Sequence, residues 1–209
     1  MQIEVLDAPA LDLYAHAVRL PTSLEGLPTP PWLHERLRAG ESAEERWPPG
    51  LREAVRDLLR GHGYKPTGRG KPSSEYLAAA AREGRLESIN AVVDIGNAVS
   101  LHAGVPISVV DLATLVAPMC VKRPPAGTSY VFNRGGQTID VGGLLCLCDA
   151  VGPCANAVKD SQRTKTSTAT TEVLLLVWAP SGTWREHAEA ASAEAMEFFA
   201  RIGAREIGS

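Results

Sequence analysis

The stretch Ile89-Asn90-Ala91-Val92-Val93-Asp94-Ile95-Gly96-Asn97-Ala98-Val99-Ser100-Leu101-His102-Ala103 decides how the chain is read. Its spacing predicts a helix over 89–103, ended by Gly104 and Pro106. Asn90, Asp94, Asn97 and Leu101 fall at i, i+4, i+7 and i+11, so they share one face. Val92, Val93, Ile95, Ala98 and Val99 make the rest of the helix apolar. A carboxylate and two amides on a buried helix are costly unless each is hydrogen-bonded. The stripe therefore either ties down neighbouring loops or lines a pocket.

Downstream, short strands are expected near 107–112, 128–132, 137–140, 144–148 and 172–178. The last, Glu172-Val173-Leu174-Leu175-Leu176-Val177-Trp178, is a continuous apolar run and reads as a buried central strand. Pro180-Ser181-Gly182 turn the chain. A helix over 184–201 follows, with Trp184, Ala188, Ala191, Ala195, Phe198 and Phe199 towards the core. Upstream, 3–7 alternates as a strand and 11–20 reads as a helix ending before Pro21. A proline-rich stretch (21–31) leads into a helix to Arg38, and 40–49 is a loop. Leu51, Val55, Leu58 and Leu59 mark one face of a helix over 51–60, with Gly61 as its stop. Ser73 or Ser74 is placed to cap a helix running to Arg82. Helices mostly precede strands, so the fold class is α+β rather than alternating βαβ. A mixed, mainly antiparallel sheet with helices packed on it is expected.

The chain has 209 residues and a mass of 22.2 kDa, which suits one domain with a substantial core. Aromatics are only 5% of it, so alanine and aliphatic side chains must fill that core. No apolar run is long enough to span a membrane, and the first residues do not read as a signal peptide. A soluble, cytoplasmic protein is expected. The net charge of -3 is no advertisement for nucleic acid. Its distribution is more informative, because residues 65–165 carry 11 Lys/Arg against 8 Asp/Glu while both ends are acidic. Lys65, Arg69, Lys71, Lys122, Arg123, Lys159, Arg163 and Lys165 either form a local patch or lie scattered on a solvated surface.

Cys120, Cys146, Cys148 and Cys154 are not expected to form disulfides. Cys146 and Cys148 lie two apart on a strand and share a face, with Cys154 nearby in sequence. Their spacing is not the C-x-x-C of common zinc sites, so they read as small core residues, and no metal is expected. The segment 156–171 carries Lys159, Arg163, Lys165 and seven hydroxyls, including Ser161, Thr164 and Thr166. It is either a site for an anion or polar ligand, or a solvated β-hairpin. No G-x-S-x-G elbow, Walker loop or H-E-x-x-H motif is present, and the five histidines are scattered.

Taken together, three segments resemble the B3/B4 module, found in the β subunit of bacterial phenylalanyl-tRNA synthetase and in stand-alone proteins. They are the run 89–101 with Gly104-Val105-Pro106 and Asp111, the upstream Arg69-Gly70-Lys71-Pro72-Ser73-Ser74-Glu75, and the downstream 160–165 and 170–174. The similarity covers about 50–180, leaving an N-terminal extension (1–49) and the C-terminal helix within a single B3/B4-like domain. In the synthetase this module hydrolyses tyrosine wrongly attached to the phenylalanine tRNA. The resemblance thus implies a pocket for an aminoacyl ester or an aromatic amino acid, with hydrolysis resting on a positioned water. The family's histidine after the G-x-P turn is Ser108 here, and Gln162 aligns with the glutamate that recognises the tyrosine hydroxyl.

Two functions are expected on this basis. In a trans-acting aminoacyl-tRNA deacylase, Asn90, Asp94 and Asn97 shape the pocket, while Ser108, Ser161, Gln162, Thr164 and Thr166 meet substrate or water. Lys65, Arg69, Lys71, Lys159, Arg163 and Lys165 would then meet the tRNA backbone. In a small-molecule enzyme acting on a free aromatic amino acid or related amine, a carboxylate such as Asp94, Asp160 or Glu75 does the acid/base work. A binding module without chemistry is the third possibility. No cofactor is implied by any of them.

Overall fold

The computed structural model describes residues 3–40, 42–60 and 63–208, so Gly61 and His62 lie outside the described residues. The strands are β1 (Glu4–Val5), β2 (Leu11–Arg19), β3 (Ile107–Asp111), β4 (Cys120–Lys122), β5 (Ser129–Val131), β6 (Thr138–Asp140), β7 (Cys146–Cys148), β8 (Pro153–Asn156), β9 (Glu172–Pro180) and β10 (Arg205–Glu206). The helices are α1 (Pro31–Arg38), α2 (Leu51–Leu59), α3 (Ser73–Arg82), α4 (Ala91–Ala103) and α5 (Arg185–Arg201). One sheet runs β10-β2-β9-β3, a second β1-β4-β7-β8, and β5-β6 form a separate hairpin. Every pairing is antiparallel except β1 with β4. The fold is α+β, as the order of elements along the chain suggests.

Strand β9 explains its own unbroken apolar sequence. Val173, Leu175, Val177 and Ala179 enter a core beneath α1, α2, α4 and α5. Leu174, Leu176 and Trp178 point the other way, into a second core shared with β4, β7 and β8. A strand buried on both faces has no position for a polar residue. The molecule is thus layered as helices, sheet, sheet. Phe198 and Phe199 of α5 lie in the first core with Ala188, Ala191 and Ala195, as the amphipathic pattern requires.

The 11–20 segment is a strand, not the expected helix. It pairs with β9 from Leu11↔Pro180 to Arg19↔Glu172. Its faces alternate too, with Leu11 and Leu13 in the second core and Val18 and Tyr14 against the first. Leucine and alanine favour helix, but nine rungs of pairing with a buried strand override propensity. The N-terminal residues are therefore built into the main sheet. Strands β4, β8 and β10 escape sequence reading because each is only two to four residues long. The 156–171 segment is no hairpin: it leaves β8 and passes through a single 3-10 turn, Gln162–Thr164. Pro72 rather than Ser73 or Ser74 sits at the α3 N-cap, and no side chain caps that helix.

Candidate active site

Edge strand β3 positions the site. Among the described residues its outer edge has no strand partner, and α4 packs against it on the helical side. The helix starts cleanly because Asn90 is its N-cap, accepting from the Val93 amide at 3.1 Å. Asn90 Nδ2 also donates to Thr166 Oγ1 at 3.1 Å, tying α4 to the 159–166 loop. Between them opens a cavity of about 610 Å³. Val93, Ile107 and Val109 supply an apolar wall, and Asn97, Gln162 and Thr166 a polar one. Arg134, Lys159, Lys165 and Asp160 bring the charges.

Asp160 is held through one oxygen only. Its Oδ1 accepts from Ser108 Oγ at 2.8 Å and from the Asn156 amide at 3.2 Å. Its Oδ2 has no hydrogen-bond partner among the described residues and is left for the cavity. Burial pushes the carboxyl up to about 6, against the opposing pull of the Ser108 and Asn156 donors and of Lys165. A carboxyl poised near neutrality inside a cavity is suited to moving a proton. Lys165 is shifted down by burial, partly offset by Asp160, and its Nζ donates to the Phe132 carbonyl at 2.7 Å. Lys159 Nζ donates to the Arg69 carbonyl at 3.0 Å and lies 4.6 Å from the Phe132 ring centroid. The two lysines thereby clamp the tip of the β5–β6 hairpin.

Lys159 also borders a second cavity of about 620 Å³ on the far side of that tip. Lys65, Arg69, Tyr64 and Thr67 form one wall of it, and Gln137, Thr138 and Asp140 the other. Among the described residues, Lys65, Arg69, Arg134, Lys159 and Lys165 make no salt bridge. Most other arginines do, as in Arg19–Glu172, Arg36–Glu194 and Arg56–Glu75.

The remaining sequence candidates are placed elsewhere. Asp94 is fully buried and accepts from Thr29 Oγ1, Ser88 Oγ and the Ile89 amide, so its carboxylate anchors the approach to α4 and does not line the cavity. Glu75 is buried in a two-pronged pair with Arg56. Ser108 is 1% exposed and lies behind Asp160, out of reach of a ligand. Ser161 accepts from the Arg163 amide at 3.3 Å, and Thr164 Oγ1 donates to the Cys154 carbonyl at 2.9 Å, so both fold the loop. Arg163 grips the buried Asp149 carboxylate at 2.9 and 3.0 Å. Lys71 lines neither cavity. The thiols of Cys146, Cys148 and Cys154 are buried, which pushes Cys148 up to about 11 and Cys154 up to about 12 and leaves both protonated. No group of three or more His, Cys, Asp or Glu among the described residues could hold a metal ion.

Three contributors were not singled out from sequence. Trp178 Nε1 donates to Ser108 Oγ at 3.0 Å from the second core. Asn156 Oδ1 accepts from the Val158 and Lys159 amides at 2.8 and 2.9 Å, bending the chain that presents Asp160. Tyr130 accepts from Asn156 Nδ2 and donates to the Lys159 carbonyl. Only the Asn156-x-x-x-Asp160 spacing could have hinted at an Asx-type loop.

Comparison with known proteins now bears on this site. No curated protein sequence matches the chain. A solved N-terminal fragment of the phenylalanyl-tRNA synthetase β-subunit from Pyrococcus horikoshii is similar, with a TM-score of 0.47 and 14% identity over 55% of this chain. The match spans 40% of that fragment's length. The B3/4 domain family matches residues 64–202, a span that includes α3, α4, β3, both cavities and all of α5. With that much of the chain matched, the protein belongs to the B3/4 domain family.

Proposed function

We propose that the protein is a trans-acting deacylase that hydrolyses the ester of a mischarged aminoacyl-tRNA. The observation that carries this reading is Asp160, a carboxyl near neutrality with one oxygen free in a half-apolar cavity. An aromatic or aliphatic side chain would rest on Val93, Ile107 and Val109, with Asn97 and Gln162 reaching its polar end. Ionised Asp160 takes a proton from a water as the water oxygen attacks the ester carbonyl. The carbon–oxygen bond to the ribose then breaks, and Asp160 returns the proton to the departing ribose oxygen. Among the described residues, no cysteine, serine or histidine lines the cavity to form an acyl intermediate. The cations without ion pairs around Lys159 suit a phosphodiester chain approaching along the second cavity. Family membership and the resemblance to a synthetase editing module support the same substrate class, and a cytoplasmic location would follow from it.

Tyrosine-, phenylalanine- and alanine-charged tRNAs mixed with the protein test it. We expect fast loss of at least one mismatched ester, rising with pH through about 6 as Asp160 ionises. Asp160→Ala should lower the rate at least ~100-fold. No loss across the panel, together with tRNA binding that ignores salt, would sink the proposal. The acidic net charge favours a second reading, a free aromatic amino acid as ligand. Thermal stabilisation by such amino acids would then be the observation to make.

A further inference from the structure

Hydrogen-bond valence fixes more than the presence of Asp160. The indole nitrogen of Trp178 can only donate, so Ser108 Oγ must accept there. The single proton of Ser108 is then left for another acceptor. Two lie in reach, Asp160 Oδ1 at 2.8 Å and the Asn156 carbonyl at 3.2 Å. The shorter contact, to a group that can carry charge, is the stronger. With the Asn156 amide, Oδ1 receives two donors and Oδ2 receives none.

We propose that Trp178 and Ser108 are positioning residues that reserve Asp160 Oδ1 as a permanent acceptor, so that the exchangeable proton sits on Oδ2, facing the cavity. The chain of donors runs from the second core through edge strand β3 to the loop, and none of its members except Asp160 meets a ligand. Charged and titratable groups surround the carboxyl on several elements: Lys159 and Lys165 on its own loop, Tyr130 and Arg134 on the hairpin, Cys146 on β7 and Cys154 on β8. The parts of α4 and β3 that line the cavity, Val93, Gly96, Asn97, Ile107 and Val109, bring none. None of these groups bonds one oxygen in preference to the other; among the described residues the Ser108 hydroxyl does, seconded by the longer bond from the Asn156 amide.

The inference rests on the deacylase reading for its catalytic meaning, but its first test needs no activity. Carbon-13 NMR of aspartate-labelled protein gives the Asp160 titration, and the Trp178 indole N–H resonance, assigned with Trp178→Phe, is followed over the same pH range. The indole signal should move with the midpoint of Asp160. Ser108→Ala should raise that midpoint by about one unit, because a donor to the ionised form is lost, and Trp178→Phe should raise it by less. Ser108→Thr, which keeps the donor, should restore it. An indole signal that ignores the Asp160 titration, or midpoints unmoved in folded variants, would overturn the proposal. In kinetics, the acid limb of kcat should shift with the midpoint while KM stays put. If the titrations behave as expected and no ester is hydrolysed, the positioning chain stands and the deacylase reading falls.

Discussion

Two aspartates 66 positions apart show how environment assigns roles to one residue type. Asp94 is surrounded by donors and has no oxygen free for chemistry. Asp94→Asn replaces an acceptor with an amide that faces those donors. We expect a loss of about 2–4 kcal/mol of stability, read by denaturant unfolding, with activity per folded molecule retained. Asp160 is the reverse case. Its folded-state midpoint, about 6, lies above the ordinary carboxylate value of 3.8. Folding therefore favours its protonated form, a stabilisation present in full below about pH 4 and lost as pH rises through 6. Asp160→Asn keeps an acceptor for Ser108 and the Asn156 amide but removes the buried charge. It should raise the melting temperature above pH 7, lose that advantage below pH 4, and abolish activity. A variant no more stable at pH 8 than at pH 4, relative to wild type, would contradict this.

At the scale of elements, the site depends on how closely α4 approaches β3. A Cβ built on Gly96 would meet Val109 Cγ2 at 2.8 Å and Ile107 Cγ2 at 3.4 Å. Both are methyls of β-branched residues with little rotamer freedom, and they line the same cavity. Gly96→Ala must push the helix off the strand. We expect a cost of about 1–3 kcal/mol and a weakened fit for any ligand, seen as a raised KM alongside a lower melting temperature. Unchanged values of both would mean that the helix yields without strain. The same element was readable beforehand from its apolar periodicity, although the expected span 89–103 put Asn90 inside the helix, where the structure makes it the N-cap. The 11–20 strand was not, because its Leu/Ala composition fits a helix until β9 is placed beside it.

Across the whole molecule, charge is sorted by partner. Many arginines pair with carboxylates, while among the described residues Lys65, Arg69, Arg134, Lys159 and Lys165 around the β5–β6 hairpin make no salt bridge despite a net charge of -3. Composition hid this, because a total cannot report which charges are matched. If the face binds phosphodiester, Lys65→Ala and Arg69→Ala should each weaken tRNA binding similarly for all sequences and flatten its salt dependence by about one unit of log–log slope. A filter-binding series over salt concentration measures both. Arg163→Ala should leave that slope unchanged, because its guanidinium is held by Asp149.

The sequence by itself determined a helix over 89–103 (observed as Ala91–Ala103), a buried apolar strand over 172–178 (observed as Glu172–Pro180), the α+β class and the two segments between which a pocket was expected. Each rests on short-range periodicity, composition or a quoted motif. Only the tertiary structure separated Asp160 from Asp94 and Glu75. All three are carboxylates in plausible segments. What distinguishes them is which donors reach them, Ser108 (itself held by Trp178) and Asn156 in one case and Thr29, Ser88 or Arg56 in the others. Partners such as Ser108, 52 residues from Asp160, and Thr29, 65 residues from Asp94, leave no periodic trace in a chain, so the carboxyl that borders the cavity could be told apart only once β3, β9 and the 156–160 bend were brought together.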